Sequence, residues 1–498
     1  MILDADELTG GALPRVDVCV IGSGAGGAVA AKELAESGHR VALLESGPAL
    51  ARPEAAATAR DDLALYARGG GAMNGDFSIR LLSGRALGGS TLLGDGVAAR
   101  PPADVLTEWL ADEGLAVPPA AFARRLRAIE KLLGVAPTRP TAINRNNALL
   151  REGARRLGIE PTVLRRAVTN APAADAPSGA CAPELRRSTL NAFIPLLDTY
   201  GAQVFAGAAV ERIARDGAGG GWRVEARTRS GKAVGWIARA VVVAAGALAT
   251  PRLLARSGLL PRTNPTLHLS PTALVAGRMN EAVQAHVGAP STVELDAWTD
   301  WSDGNGPGVL VRGHGPHPSW LAPALGGLHG SEALGAFDHL MVVEVVLRDR
   351  SRGRIAADGA VDYALEESDA RRLIQGIAGT AEVLFAAGAR AVYTPIETLP
   401  RLGGASDLGK LRGHRAQSGG ISLISTAPGG SCRAGPPERG GVVAGNFELR
   451  GAAGVYVMDA SVLPSPVGVP PQLTIMALAA WGARGLARRL HGTGSMGS

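Results

Sequence analysis

Cysteine is scarce in this sequence: Cys19, Cys181 and Cys432 are the only three among 498 residues, far apart and without a C-x-x-C pair. That excludes a disulfide framework and a thiolate metal site, and it points to a reducing, cytoplasmic compartment. Lysine is nearly absent as well, occurring only at Lys32, Lys131, Lys232 and Lys410. The formal net charge of +6 therefore rests on arginines, which are interleaved with Asp and Glu and not massed in a stripe. Such scatter excludes a nucleic-acid surface. No apolar run approaches the roughly 18 residues that a membrane span requires. The opening MILDADELTGG is acidic, lacks an apolar centre and reads as no signal peptide. There is no internal repeat or low-complexity block, and residues 492–498, GTGSMGS, read as a flexible tail. What remains is length enough for two or three domains with a large core.

The most informative stretch is VDVCVIGSGAGGAVAAKELAESGHRVALLESG, residues 16–47. Residues 16–21 are apolar and rich in β-branched side chains, which predicts a buried strand. Gly22, Gly24 and Gly27 complete G-x-G-x-x-G, residues 28–37 predict an alanine-rich helix, and Gly38 ends it. Residues 41–44 predict a second strand with Glu45 at its end, about 20 residues past the last glycine. This is the pattern of a dinucleotide site. Gly22 permits the tight turn, Gly24 lets backbone approach a pyrophosphate, and Gly27 lets helix and strand close up. The helix N-terminus adds about half a positive charge facing the phosphates. Glu45 stands where an acid meets a ribose hydroxyl.

Residues 48–71 read as a loop followed by a helical stretch. Residues 84–102, GRALGGSTLLGDGVAARPP, are dense enough in glycine to wrap backbone around a ligand, with Ser90 and Thr91 as hydroxyl donors. Residues 103–135 and 144–157 show helical apolar spacing, and 188–200 reads as a helix returning the chain to the first domain. Strands are predicted at 204–208, 210–214, 222–228 and 233–237. A separate strand, AVVVAA at 240–245, ends in Gly246 before a helix that starts at Thr250-Pro251. From about residue 265 to 425, short alternating segments predict an antiparallel sheet backed by helices, with 369–385 the clearest helix. HLMVVEVVLR (339–348) puts Met341, Val343, Val345 and Leu347 on one face and Val342, Glu344 and Val346 on the other. Residues 454–484 read strand, loop, helix and close the first domain.

Four separated stretches together resemble the glucose–methanol–choline (GMC) flavin oxidoreductases. They are the glycine turn, GRALGGSTLLGDGVAARP, VVVAAGALATPRLLARSGL (241–259) and GVYVMDASVLPSPVGVPPQLTIMALA (454–479). Residues 267–283 and GSCRAG (430–435) look most like the bacterial long-chain-alcohol branch. The resemblance implies an α/β fold: a Rossmann-like FAD-binding domain with a second domain of antiparallel sheet backed by helices. The implied division is 1–101 for the first part of the FAD-binding domain and 102–187 for a helical connection and cap. Residues 188–264 supply its second part with a meander, 265–425 the substrate (cap) domain, 426–491 its C-terminal part and 492–498 the tail. FAD is the implied cofactor. By position, Gly22, Gly24, Gly27 and Glu45 would hold the ADP half, and Val210 would meet the adenine through its backbone. Ser90 and the Gly94-Asp95-Gly96-Val97 backbone would lie along the flavin. Asp459 and Ala460 would reach the ribityl chain and pyrophosphate, and Val469, Pro470 and Pro471 the ring.

Two positions depart from the family pattern. Members that oxidise alcohols carry a His a few residues before the G-T/S-C-R motif and an Asn or His in the C-terminal segment. Here those positions hold Ala427 and Pro470, and neither can accept a proton. Gly94 stands where Asn is often found. A positioned base contributes roughly 100- to 10,000-fold, about 3–5 kcal/mol of barrier. The expectation is FAD-dependent oxidation of the CH–OH group of an unidentified alcohol by hydride transfer to flavin, with the base relocated. Candidates are His268, Glu344, His414 and Asp95, each more simply explained as a packed, paired or capping residue. Cys181 and Cys432 resemble family positions and read as packing residues. The alternatives are another flavin reaction, such as decarboxylation (light-driven or not) or desaturation, or a non-catalytic flavin-binding protein. An Arg able to fork a carboxylate near the flavin would favour decarboxylation. The partner is a small-molecule substrate, with oxygen, a quinone or a protein as candidate electron acceptor.

Overall fold

A computed structural model of the chain describes residues 2–8, 13–49, 65–111, 113–168, 186–217, 220–260, 266–300, 306–325, 327–415 and 419–494. Cys181 and most of the predicted stretch 48–71 lie outside these residues. The described residues form two large sheets, each with its own core, and two small two-stranded ones.

The first sheet has a parallel spine. Strands Ile2–Asp4, Gln203–Ala206, Val41–Glu45, Arg15–Ile21, Ala233–Val243 and Val455–Val457 lie side by side in that order. Val18, Cys19, Val20, Ala42 and Leu43 are fully buried, as expected for strands covered on both faces. The covering helices are Gly27–Glu36 and Gln472–Gly494, which pack on each other, with Pro119–Leu132 against the second.

Several sequence expectations are corrected here. The sequence predicts separate strands at 233–237 and 240–245, but Ala233–Val243 runs unbroken. Its first half pairs antiparallel with Trp222–Arg227, and its second half runs parallel to Arg15–Ile21. No turn residue interrupts Ala238-Arg239-Ala240, and only Arg239 turns outward, so the ladder continues. The helix expected at 188–200 divides at Phe193 into Thr189–Ala192 and Ile194–Thr199, because Pro195 cannot donate the next helical hydrogen bond. The last helix reaches Gly494, three residues into the stretch read as tail, and Leu490 is still in the core.

The second sheet has Leu340–Leu347 at its centre, with Thr272–Arg278 and Val309–Gly313 antiparallel on either side. It is not confined to 265–425. Ala72–Met73, Ile79–Leu81 and Thr162–Val163 add short outer strands from earlier in the chain. Pieces of two or three residues are too short to show a period in the sequence. Helix Glu367–Ala386 covers one face and buries Leu373, Ile374, Ile377, Ala381 and Leu384. Gly376 allows the close approach, since a Cβ there would stand 2.6 Å from Val309 Cγ2. Strand alternation sends Glu344 and Val346 to the opposite face, toward the first sheet. Among the described residues no helix is long and apolar enough to cross a membrane.

The glycine turn sets the spacing between elements. A Cβ on Gly26 would lie 1.8 Å from Met458 O, whereas one on Gly24 would meet nothing within 4 Å. Gly26→Ala is therefore expected to destabilise the fold by about 1–3 kcal/mol through overpacking, while Gly24→Ala keeps the wild-type urea midpoint. Parallel urea denaturation of the two variants checks this, and equal midpoints would contradict it.

Candidate active site

The carboxyl ends of the parallel strands open onto a cavity of about 1120 Å³ between the two sheets. This is where open α/β sheets bind ligands, and it exceeds the roughly 300–1,000 Å³ of an ordinary small-molecule pocket. Gly22 (φ +99°) and Gly24 line it, and Gly27 does not. Gly27 serves packing, because its Cβ would fall 1.8 Å from Gly22 O. Glu45 lines the cavity at the end of its strand. Its Oε2 accepts from the Ser23 N–H (3.1 Å) and hydroxyl (2.6 Å), and its Oε1 from the Gly47 N–H (2.8 Å).

The loop at 84–97 lies over this turn. A Cβ on Gly89 would stand 2.9 Å from Gly24 Cα. Ser90 Oγ accepts from the Gly84 N–H at 2.9 Å. Two arginines hold the loop carbonyls. Arg186 Nη1 donates to Gly94 O (2.6 Å), and Arg166 donates to Asp95 O through Nε (3.1 Å) and Nη2 (2.6 Å). Gly96, Val97, Val210, Ala460, Val469, Pro470 and Pro471 also line the cavity. Asp459 joins them. Its Oδ2 accepts from the Gly246 N–H (2.8 Å) and the Thr250 hydroxyl (2.6 Å), tying the C-terminal segment to helix Thr250–Arg256. Burial raises the Asp459 carboxyl above the usual range, against the pull of its bonds from Ser461 and Thr250.

These residues fit FAD. Bare backbone with open space at Gly24 borders the N-terminus of helix Gly27–Glu36, where a pyrophosphate needs both. Glu45 stands at the strand end where an acid would meet a ribose hydroxyl, and the cavity continues beyond the turn to the second sheet.

Ala427 and Pro470 both line the cavity, and neither side chain can accept a proton. Across from them the second sheet presents Thr272, Leu274, Leu310, Arg312, His314, Glu344 and Val346. Arg312 sits in register between Glu294 and Glu344 on the neighbouring strands. Its Nη2 is 2.5 Å from Glu344 Oε1. Burial opposes its charge, but Glu344, Glu294 and Asp95 outweigh that and hold Arg312 above its ordinary value. Burial pushes the Glu294 carboxyl up. His314 Nδ1 is buried without a hydrogen-bond partner, 3.6 Å from Glu344 Oε2. Asp95 Oδ2 is engaged by the Ser291 hydroxyl at 2.6 Å.

Of the four candidate bases, the fold brings Glu344 and Asp95 to the cavity and leaves two elsewhere. His414 bonds the Thr398 hydroxyl at 3.1 Å, away from the cavity lining. His268 is packed against Gly429 and Gly430, and neither ring nitrogen has a partner. Burial, with Arg352 and Arg433 nearby, holds its pKa well below the usual imidazole value. Cys19 and Cys432 are buried free thiols, pushed up by burial. His314 was missed by sequence reasoning because GHGPHP (313–318) has no periodic run around it. The available signal was parity: Leu310, Arg312 and His314 share one face of an extended segment.

A buried neutral His268 has a thermodynamic consequence. Its folded pKa is depressed, so between that value and the unfolded one only the unfolded chain takes the proton. Its contribution to stability is then present above the ordinary imidazole pKa and is lost as pH falls through this window. Replacing His268→Leu is expected to narrow the difference in urea stability between about pH 8 and about pH 5. An unchanged difference would show that this ring titrates alike in both states.

Comparison with known proteins agrees with this geometry. Residues 63–287 and 349–479 each match a GMC oxidoreductase family model, and residues 20–57 match an NAD(P)-binding Rossmann-like domain. A GMC-type oxidoreductase of Mycobacterium tuberculosis is 34% identical, covering 96% of this chain and 76% of that protein. A long-chain-alcohol oxidase of Arabidopsis thaliana is 28% identical, covering 93% of this chain and 67% of that protein. The crystal structure of pyridoxine 4-oxidase from Mesorbium loti shares the fold, with TM-score 0.68 and 18% identity over 96% of this chain and 99% of that one. With two family models matched in order and a relative aligned over nearly the whole sequence, the chain belongs to the GMC family of FAD-dependent oxidoreductases.

Proposed function

We propose that this protein oxidises the CH–OH group of an apolar alcohol, with His314 as proton acceptor and Glu344 behind it. The observation that carries the reading is the His314–Glu344 pair on the cavity wall, in a site whose two family positions hold Ala427 and Pro470. Bound in the cradle, FAD supplies the hydride acceptor. The chain must then remove the hydroxyl proton as the hydride leaves. Glu344 on the Nδ1 side favours the tautomer with its proton there, leaving Nε2 to accept. The 3.6 Å separation is within the looser geometry that catalytic contacts show before substrate binds. Arg312 holds the Glu344 carboxylate in place. Leu274, Leu310, Val346 and Ile424 provide the apolar lining, in keeping with the long-chain-alcohol oxidases among the relatives.

Arg312 also bears on the decarboxylation alternative, which needs a guanidinium free to fork a carboxylate. Its Nη2 is taken by Glu344, so the guanidinium is already engaged by a carboxylate of the protein, which supports the alcohol reading.

Anaerobic mixing of the yellow enzyme with a panel of primary alcohols is expected to bleach the flavin. Replacing His314→Gln lowers the bleaching rate about 100- to 10,000-fold, and Glu344→Gln lowers it less, while flavin content holds. Full-rate bleaching by the His314 variant removes His314 from the role. Failure of every alcohol with the wild type removes the reaction. Separately, Arg312→Gln leaves Glu344 buried without its guanidinium partner, and is expected to cost about 3–5 kcal/mol of stability, measured by denaturation.

A further inference from the structure

Besides Arg85 on the glycine-rich loop, three more arginines stand on the cavity wall: Arg68, Arg252 and Arg256. None of their guanidinium groups is hydrogen-bonded or ion-paired to a described residue, and Arg252 Nε is buried without a partner. Arg68 and Arg256 are exposed, so the cluster marks the solvent edge of the cavity, whereas Arg312 and Glu344 lie deep in it. Leu248 packs on the second core, and Arg252 and Arg256 follow it at steps of four residues along a helical segment. That spacing turns both toward the seam between the sheets. There the turn of hairpin Arg354–Ile355/Val361–Asp362 closes on Arg252. Gly359 (φ +93°) makes this possible, since a Cβ would lie 2.4 Å from Arg252 Nε.

Burial lowers the Arg252 pKa, Arg68 and Arg256 lower it further, and Asp358 alone opposes them. Three crowded cations with a single carboxylate near them favour a further anion joining them. The cofactor pyrophosphate is already served by the glycine turn and its helix, whereas Arg252 stands against the hairpin turn at Gly359. We propose that the substrate is an alcohol whose far end carries a carboxylate, held at the cavity mouth by Arg68, Arg252 and Arg256: an ω-hydroxy acid with an apolar middle. This rests on the alcohol-oxidising reading above. The guanidinium fork matches a carboxylate and is worth more than a neutral contact.

The test compares ω-hydroxy acids of graded length with chain-matched neutral alcohols on the FAD-loaded enzyme. The ratio of kcat/KM is expected to favour the hydroxy acid about tenfold or more at the best length. Arg252→Gln and Arg256→Gln each lower that ratio by about tenfold, and Arg252→Lys recovers part of it. A second arm needs no turnover. Unsubstituted alkanoates are titrated into the enzyme and followed by the shift in flavin absorbance, and Arg252→Gln weakens their binding. A third arm measures FAD affinity of the flavin-stripped chain. Equal or better use of neutral alcohols overturns the proposal. So does an equal loss of FAD affinity in the variants, which assigns the arginines to the cofactor. If no alcohol reduces the flavin but alkanoate binding still depends on Arg252, the redox reading fails and the carboxylate site stands.

Discussion

Backbone contact without side chains, at the turn Gly22–Gly27, holds the cofactor half of the molecule together. Three segments distant in sequence touch this turn. Ala244 O meets Gly22, Met458 O meets Gly26, and Gly89 rests on Gly24. Each approach is closer than any Cβ allows, so the glycines act as spacing elements as much as flexible ones. Glu45 and Asp459 secure the ends of this junction by accepting from Ser23, Gly47, Gly246, Thr250 and Ser461. The wall offered to a pyrophosphate is therefore assembled from four parts of the chain.

The second sheet contributes a different kind of constraint. Its rear face is apolar and sealed by helix Glu367–Ala386, while its front face carries charge into a largely apolar cavity. Arg312 makes that tolerable by standing between Glu294 and Glu344 with Asp95 close by. The same sheet thus supplies stability from one side and chemistry from the other, and the alternation of Leu340–Leu347 divides the two.

Much of this was legible in the sequence where a pattern was local. The glycine turn, Glu45 at a strand end and the two faces of residues 339–348 follow from period and spacing alone. Family positions pointed to the empty places at Ala427 and Pro470, and both residues do face the cavity. What could not be read was non-local. His314 lies past a strand end among Gly and Pro, and its importance comes only from Glu344 on the adjacent strand. His268 looked equivalent in sequence, but tertiary packing buries its ring against Gly429. The long strand Ala233–Val243 serves two neighbours of opposite direction, which a pattern cut into single elements does not reveal.

The position of Asp459 carries an implication for how the molecule comes into being. Strand Val455–Val457 is an edge of the parallel sheet, and the carbonyl of Met458 closes over Gly26, which was synthesised far earlier. A ribosome therefore releases the glycine turn long before the piece that completes it. Nascent chains carry an unfinished vessel, and flavin loading must wait for the late segment to slot home. Truncated products lacking that segment would emerge colourless, so the pigment itself reports that translation ran past it.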